Sequence, residues 1–224
     1  MFKPPAEAAR AVIPLIDHTL LKPEATAAQV ARLCDEAVFY GFATVCVLPW
    51  WLPEIVRRLA GSTVKPGTVA GFPLGAYLSD MKAAEAARYA GLGAKEIDMV
   101  MAVGAFKDKA FAAVEQDIRG VVKAAGPGIT VKVILETTLL EPGEIAAASR
   151  LALEAGAAFI KTSTGFFGGA SVDAVRIMRK AAGPAAGVKA SGGIRTLADA
   201  QTLIAAGANR IGTSAGVAIA TGEE

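Results

Sequence analysis

Short apolar, β-branched runs alternate along this chain with longer segments whose apolar residues recur at helical spacing. The runs fall at residues 13–18, 44–49, 68–73, 96–101, 130–136, 159–165, 188–191 and 210–214. Turn and cap residues punctuate them. Thr26 opens a helix that Gly41 stops, and Pro53 sits in the first turn of a helix that ends at Gly61. Ser79 opens an Ala-rich helix that ends around Gly91, and Asp108 starts a longer one through Ala125. Pro142, Ser171 and Thr196 begin the next three, closed near Gly156, Ala182 and Gly207, and a short helical tail runs to Ala220. Eight strand-helix units without a linker or a shift in composition predict a parallel sheet in one domain spanning residues 1–224. Eight such units suit a closed (β/α)8 TIM barrel. The doubly wound open sheet is the competing α/β arrangement, and it lacks a G-x-G-x-x-G after the first strand.

Five strand positions break the apolar rule: Asp17, Asp98, Lys132, Lys161 and Lys189. Parallel strands between helices are buried on both faces, so an ammonium there must be paired, solvated in a cavity, or neutral. Strand alternation puts Lys132, Ile134 and Glu136 on one face, Phe159, Lys161 and Ser163 on another, and Lys189 and Ser191 on a third. If these faces point inward, three lysines and two aspartates line one cavity. A purely structural ion-pair network is one reading, but it is an expensive way to stabilise a core. A reactive amine is the other, because a lysine attacks a carbonyl only as the free base. Lowering its pKa from about 10.4 to about 7 takes roughly 4.6 kcal/mol. A second ammonium at about 5 Å supplies about 3.3 kcal/mol at an effective dielectric constant near 20, and desolvation can supply the rest.

The loops beyond the last three strands carry Gly165, Gly168-Gly169, Gly192-Gly193 and Gly212-Thr213-Ser214. Each could be a tight turn only. Together, at the end of a barrel where phosphates commonly bind, they point to an anion site, with Arg195 beside it. A net charge of +2 with no block of Lys and Arg argues against nucleic-acid and membrane-surface partners. One histidine, His18, and two cysteines, Cys34 and Cys46, argue against a Cys/His zinc site, and the cysteines read as buried reduced thiols of a cytoplasmic protein. The N-terminus has no secretory h-region, and charged residues interrupt every hydrophobic segment before it reaches membrane-spanning length. His18, next to Asp17, is read as a supporting hydrogen-bond partner rather than a general base. Trp50 and Trp51 are read as a cover for the barrel top or as an oligomer contact.

Several segments in order resemble deoxyribose-phosphate aldolases, a class I aldolase family. They are residues 16–23 (IDHTLLKP), 71–75 (GFPLG), 96–100 (EIDMV), 131–137 (VKVILET), 159–166 (FIKTSTGF) and 188–196 (VKASGGIRT), and the resemblance extends from about Ile13 to Ile219. It implies a metal-free, cofactor-free enzyme on a (β/α)8 barrel that reversibly cleaves 2-deoxy-D-ribose 5-phosphate to D-glyceraldehyde 3-phosphate and acetaldehyde. The Schiff-base lysine maps to Lys161, the perturbing lysine to Lys189 and the proton-relay aspartate to Asp98. Asp17, Lys132 and Thr162 match further pocket positions, and Gly165, Gly192, Gly193 and Ser214 match positions around the substrate phosphate. A homodimer or higher homo-oligomer is expected. The chain departs from the family pattern at Leu48 and Ala102, where asparagines are common, and it stops at Glu224 without the C-terminal tyrosine of some relatives. The apolar mouth leaves two rivals: a related Schiff-base lyase with another aldehyde preference, and a silent barrel that binds a sugar phosphate.

Overall fold

In the computed structural model, which describes residues 2–223, the eight apolar runs pair in sequence order and the last closes on the first. Met1 and Glu224, the outermost residues of the expected domain, lie outside the described residues. The strands are β1 (Ile16–Leu20), β2 (Thr44–Val47), β3 (Lys65–Ala70), β4 (Glu96–Val100), β5 (Thr130–Ile134), β6 (Phe159–Lys161), β7 (Gly187–Ser191) and β8 (Arg210–Thr213), all parallel. Around them lie α1 (Ala27–Tyr40), α2 (Leu52–Arg58), α3 (Ser79–Gly91), α4 (Val103–Lys107), α5 (Phe111–Ala125), α6 (Pro142–Glu154), α7 (Val172–Ala182), α8 (Leu197–Ala205) and α9 (Gly216–Thr221). The barrel expectation holds, because each strand is too apolar to leave either face in water.

Cap chemistry explains three of the helix starts. Thr26 and Gln29 form a capping box at α1, as Thr196 and Asp199 do at α8, and Ser171 Oγ accepts from the Ala174 N–H at α7. Gly41, at φ +76°, ends α1 in the left-handed conformation.

Several boundaries differ from expectation: β2, β5 and β6 end at Val47, Ile134 and Lys161, before their apolar runs do, and three starts also differ. Residues 13–15 form a 3-10 turn, so β1 begins at Ile16, after the proline. β3 starts at Lys65 and takes in Pro66 and Gly67. Asp108 does not open a long helix. It closes the short α4, and α5 begins only at Phe111 after Lys109 turns through φ +60°.

Between strands and helices lies a continuous apolar layer that includes Ile16, Val45, Ile97, Val133, Ile160, Val188 and Ile211, all buried. Register sets the polar residues of the barrel interior abreast of one another: Asp98 pairs with Lys132, Lys161 with Lys189, and Asp17 with Gly212.

Candidate active site

Alternation along the strands turns Asp17, Asp98, Lys132, Lys161 and Lys189 into the barrel, where none is more than 2% exposed. Asp98 joins the three lysines. Its Oδ2 accepts from Lys161 Nζ and from Lys189 Nζ, each at 2.8 Å, and its Oδ1 accepts from Lys132 Nζ at 2.7 Å. Lys189 also donates to Asp17 Oδ2 at 2.5 Å. Lys132 lies 3.3 Å from Asp17 Oδ2 and 2.6 Å from Glu96 Oε2. Arg210 completes the layer from below, donating to Asp17 Oδ1 at 2.7 Å and Glu96 Oε2 at 3.0 Å, with its guanidinium over the Phe159 ring.

Three carboxylates (Asp17, Glu96, Asp98) thus face three strongly held cations (Lys132, Lys189, Arg210). Lys161 is the surplus amine, and in a low-dielectric interior a surplus charge is the one most easily given up. Burial is the largest influence on it and holds it below the usual lysine range; Asp98 opposes this and Lys189 reinforces it. Burial depresses Lys189 as well, but Asp17 and Asp98 more than restore it, and Lys132 is held well above its ordinary value by Asp17, Asp98 and Glu96. Burial pushes both aspartates up. Lys132, Lys189 and Arg210 around Asp17, and the three lysines around Asp98, outweigh it and keep both carboxyls well below the usual range. The expectation that Lys189 supplies most of the shift at Lys161 is therefore corrected. Desolvation leads, because Lys189 spends its charge on two carboxylates.

Above this layer a cavity of about 460 Å³ opens at the C-terminal rim, walled by the loops after β1, β6, β7 and β8. Of the five buried charges only Lys161 reaches it; Asp17, Asp98, Lys132 and Lys189 are not among its lining residues. Asp17 holds Lys189, and Lys132 holds Asp98. Gly165, Gly192, Gly193 and Ser214 do line it. The three glycines have φ of +91°, +87° and +78°, a conformation that favours glycine. The backbone N–H groups of these four residues find no acceptor among the described residues. Lys22 and Arg195 add positive charge to the same wall. Thr162 does not line it. Its Oγ1 donates to the Ser191 carbonyl at 3.1 Å and accepts from the Ser191 N–H at 3.0 Å, tying β6 to β7.

Four contributors were not singled out from sequence. Glu96 and Arg210 stand at strand starts, and the signal was present: Glu96 shares a face with Asp98, and Arg210 is abreast of Lys189. Lys22 lies in a loop that only the closed barrel brings to the cavity. Glu136 adopts φ +56°, unusual for a residue with a side chain, and turns its carboxylate onto the next loop. There it accepts from the Thr164 N–H at 3.2 Å and from Thr164 Oγ1 at 2.5 Å, fixing the residue before Gly165. His18 faces outward, not toward Asp17; its Nε2 pairs with Glu36 Oε2 at 2.8 Å and its ring packs edge-on against Phe42. Leu48 and Ala102 lie outside the cavity wall, and Trp50 is 83% exposed. Cys34 and Cys46 are both buried and free. Among the described residues no group of His, Cys, Asp and Glu is arranged to hold a metal ion, and no helix is long and apolar enough to cross a membrane.

A barrel with a buried amine of lowered basicity at the floor of a glycine-lined cavity suits imine chemistry on a carbonyl, the chemistry of a class I carbon–carbon lyase. Comparison with known proteins agrees. Residues 11–221 match the model of the DeoC/LacD family aldolases. A deoxyribose-phosphate aldolase of Streptococcus sanguinis is 56% identical over 210 residues, covering 93% of this chain and 95% of that protein. One of Halalkalibacterium halodurans is 52% identical over 216 residues, covering 96% of each. A solved deoxyribose phosphate aldolase from Aeropyrum pernix, described as tetrameric, superposes with a TM-score of 0.86 at 37% identity over 93% of this chain and 89% of that one. The chain belongs to the deoxyribose-phosphate aldolase family, DeoC/LacD.

Proposed function

We propose that this protein cleaves 2-deoxy-D-ribose 5-phosphate reversibly through an imine on Lys161. The observation that carries the reading is the state of Lys161: a buried amine of lowered basicity that alone among the barrel charges opens onto the cavity. Lys161 Nζ attacks the C1 aldehyde, and loss of water leaves an iminium that serves as the electron sink. The C3 hydroxyl gives up its proton, the C2–C3 bond breaks, and its electrons pass into the iminium to form an enamine. D-Glyceraldehyde 3-phosphate departs. Protonation of the enamine at C2 and hydrolysis release acetaldehyde and regenerate the amine. Asp98, held as a carboxylate between Lys161 and Lys189, passes these protons with Lys189 and a water.

The phosphate is held by the N–H groups of Gly165, Gly192, Gly193 and Ser214 together with Lys22 and Arg195, which orients C1 toward Lys161. The chemistry needs no metal, since the iminium does the work of a Lewis acid. The enzyme acts on small molecules in the cytoplasm. A homo-oligomer is favoured by the tetrameric relative and by the apolar side chains exposed in the loops after β2 and β3, among them Trp50, Leu74 and Leu78.

Steady-state assay of acetaldehyde release in the presence of a chelator tests the proposal. The expected result is equimolar acetaldehyde and glyceraldehyde 3-phosphate, with kcat/KM for the unphosphorylated sugar lower by about 100-fold, the worth of one or two charge-assisted hydrogen bonds. Tight binding of the phosphorylated sugar without acetaldehyde would establish the silent barrel instead.

A further inference from the structure

Four buried side-chain polar atoms lack a hydrogen-bond partner among the described residues: His18 Nδ1, Asp117 Oδ1, Ser163 Oγ and Ser191 Oγ. Only Ser191 lines the cavity. Among the other hydroxyls of the wall, Ser214 is exposed to solvent and the threonines are already engaged. Thr19 Oγ1 donates to the Asp17 carbonyl at 2.8 Å, Thr164 Oγ1 to Glu136, and Thr213 Oγ1 to the Ile194 carbonyl at 2.7 Å. Leaving a buried hydroxyl unpaired costs free energy, so a ligand that bonds it is favoured.

The placement of this hydroxyl is specific. Ser191 lies two residues beyond Lys189 on the same strand and directly before Gly192. Thr162 Oγ1 clamps its backbone at both N–H and C=O. Abreast of it on β8 is Gly212, where a Cβ would collide with Ser191 Oγ and approach Lys189 Cε to 2.8 Å. A bare glycine there preserves room for both groups. Ser191 therefore lines the same cavity as Lys161 and directly adjoins the Gly192-Gly193 loop. A substrate joined to Lys161 at C1 and anchored at its 5-phosphate carries its C3 and C4 hydroxyls between the amine and that loop.

We infer that Ser191 Oγ bonds the C4 hydroxyl of the sugar phosphate, which is the 2-hydroxyl of the aldehyde acceptor in the synthetic direction. Ser191 is then a specificity-determining residue that selects 2-hydroxylated aldehyde phosphates over plain ones. This rests on the aldolase reading above. The C3 hydroxyl is consumed in the reaction, whereas the C4 hydroxyl is a spectator whose removal leaves the bond chemistry intact. Its contact can be measured without altering the reacting atoms.

The test is a cycle of two enzymes and two acceptors, with acetaldehyde as donor. The acceptors are D-glyceraldehyde 3-phosphate and 3-oxopropyl phosphate, which has the same length and lacks the hydroxyl. Ser191→Ala should lower kcat/KM for glyceraldehyde 3-phosphate by about 3- to 10-fold, the range for one neutral hydrogen bond, and leave that for 3-oxopropyl phosphate within about twofold. Borohydride trapping with acetaldehyde alone should proceed in the variant at the wild-type rate, which shows the amine site intact. Ser163→Ala removes an equally unpartnered hydroxyl that does not line the cavity, and the ratio of the two acceptors should stay at its wild-type value. Equal losses on both acceptors in Ser191→Ala, or no loss on either, would overturn the assignment. A wild-type enzyme that uses neither acceptor would refute the aldolase reading, and this inference with it.

Discussion

Replacing Lys189 by methionine isolates what the second lysine does to the first. Methionine keeps an unbranched stem of similar length in the barrel, and the two carboxylates remain paired: Asp17 keeps Lys132 and Arg210, and Asp98 keeps Lys132 and Lys161. Lys161 and Lys189 donate to the same oxygen of Asp98 at 2.8 Å each, so their nitrogens can be no farther apart than twice that distance. At a separation of about 5 Å and an effective dielectric constant near 20, the bare repulsion is about 3 kcal/mol; Asp17 and Asp98 offset part of the Lys189 charge, so this is the ceiling on what its removal returns to the protonated form of Lys161. With Lys189 gone, Asp98 also has one cation fewer to serve and draws harder on the Lys161 proton, in the same direction. Because the nucleophile is the neutral amine, activity is present above the Lys161 pKa and lost as pH falls through it. The acid limb of kcat/KM should therefore move to higher pH in the variant, with a rate loss near neutrality of up to about 100-fold that alkaline pH largely restores. The measurement is a pH profile of kcat/KM, which reports on the free enzyme. An acid limb that stays in place while the whole profile drops would refute the electrostatic argument and leave Lys189 with proton transfer alone.

Lys161→Ala should abolish cleavage while the thermal midpoint holds or rises, since three carboxylates still face three cations without it; calorimetry alongside the acetaldehyde assay checks both halves. Glu136→Gln keeps the size of the side chain but weakens its grip on Thr164, so KM for the phosphorylated sugar should rise by about 10-fold with a smaller change in kcat. Stability should be sensitive to acid. Asp17 and Asp98 have folded-state pKa values below the unfolded value near 3.9, so their contribution is complete above that value and is lost as pH falls below it. Midpoints measured from about pH 6 down to pH 3 should drop steeply at the low end, and a flat profile would contradict the ion-pair layer.

The eight-unit alternation was legible because both periods, two and 3.6, are strong here and caps mark several of the helix starts. Thr26, Ser171 and Thr196 stand where the structure has caps. Asp108 misled for a physical reason: a short polar residue after a turn resembles an N-cap, and nothing local shows that α4 precedes it. The inward set of five charges was readable from alternation alone. Which of them reaches substrate was not, because that depends on height along the barrel axis, and strand tilt and stagger set height. Asp17 and Lys132 match a pocket by motif and yet are not among the residues that line the cavity. Lys22 and Glu136 act through loops whose paths depend on long-range contacts, and Glu136 does so from a left-handed backbone conformation that carries no sequence signature.

The central claim is that Lys161 forms the imine. Incubation with 2-deoxy-D-ribose 5-phosphate and borohydride, followed by peptide mapping by mass spectrometry, tests it directly. A single reduced adduct on Lys161, absent from Lys161→Ala and from protein treated without substrate, is the expected result. An adduct on Lys132 or Lys189, or cleavage that continues with no adduct trapped, would contradict it.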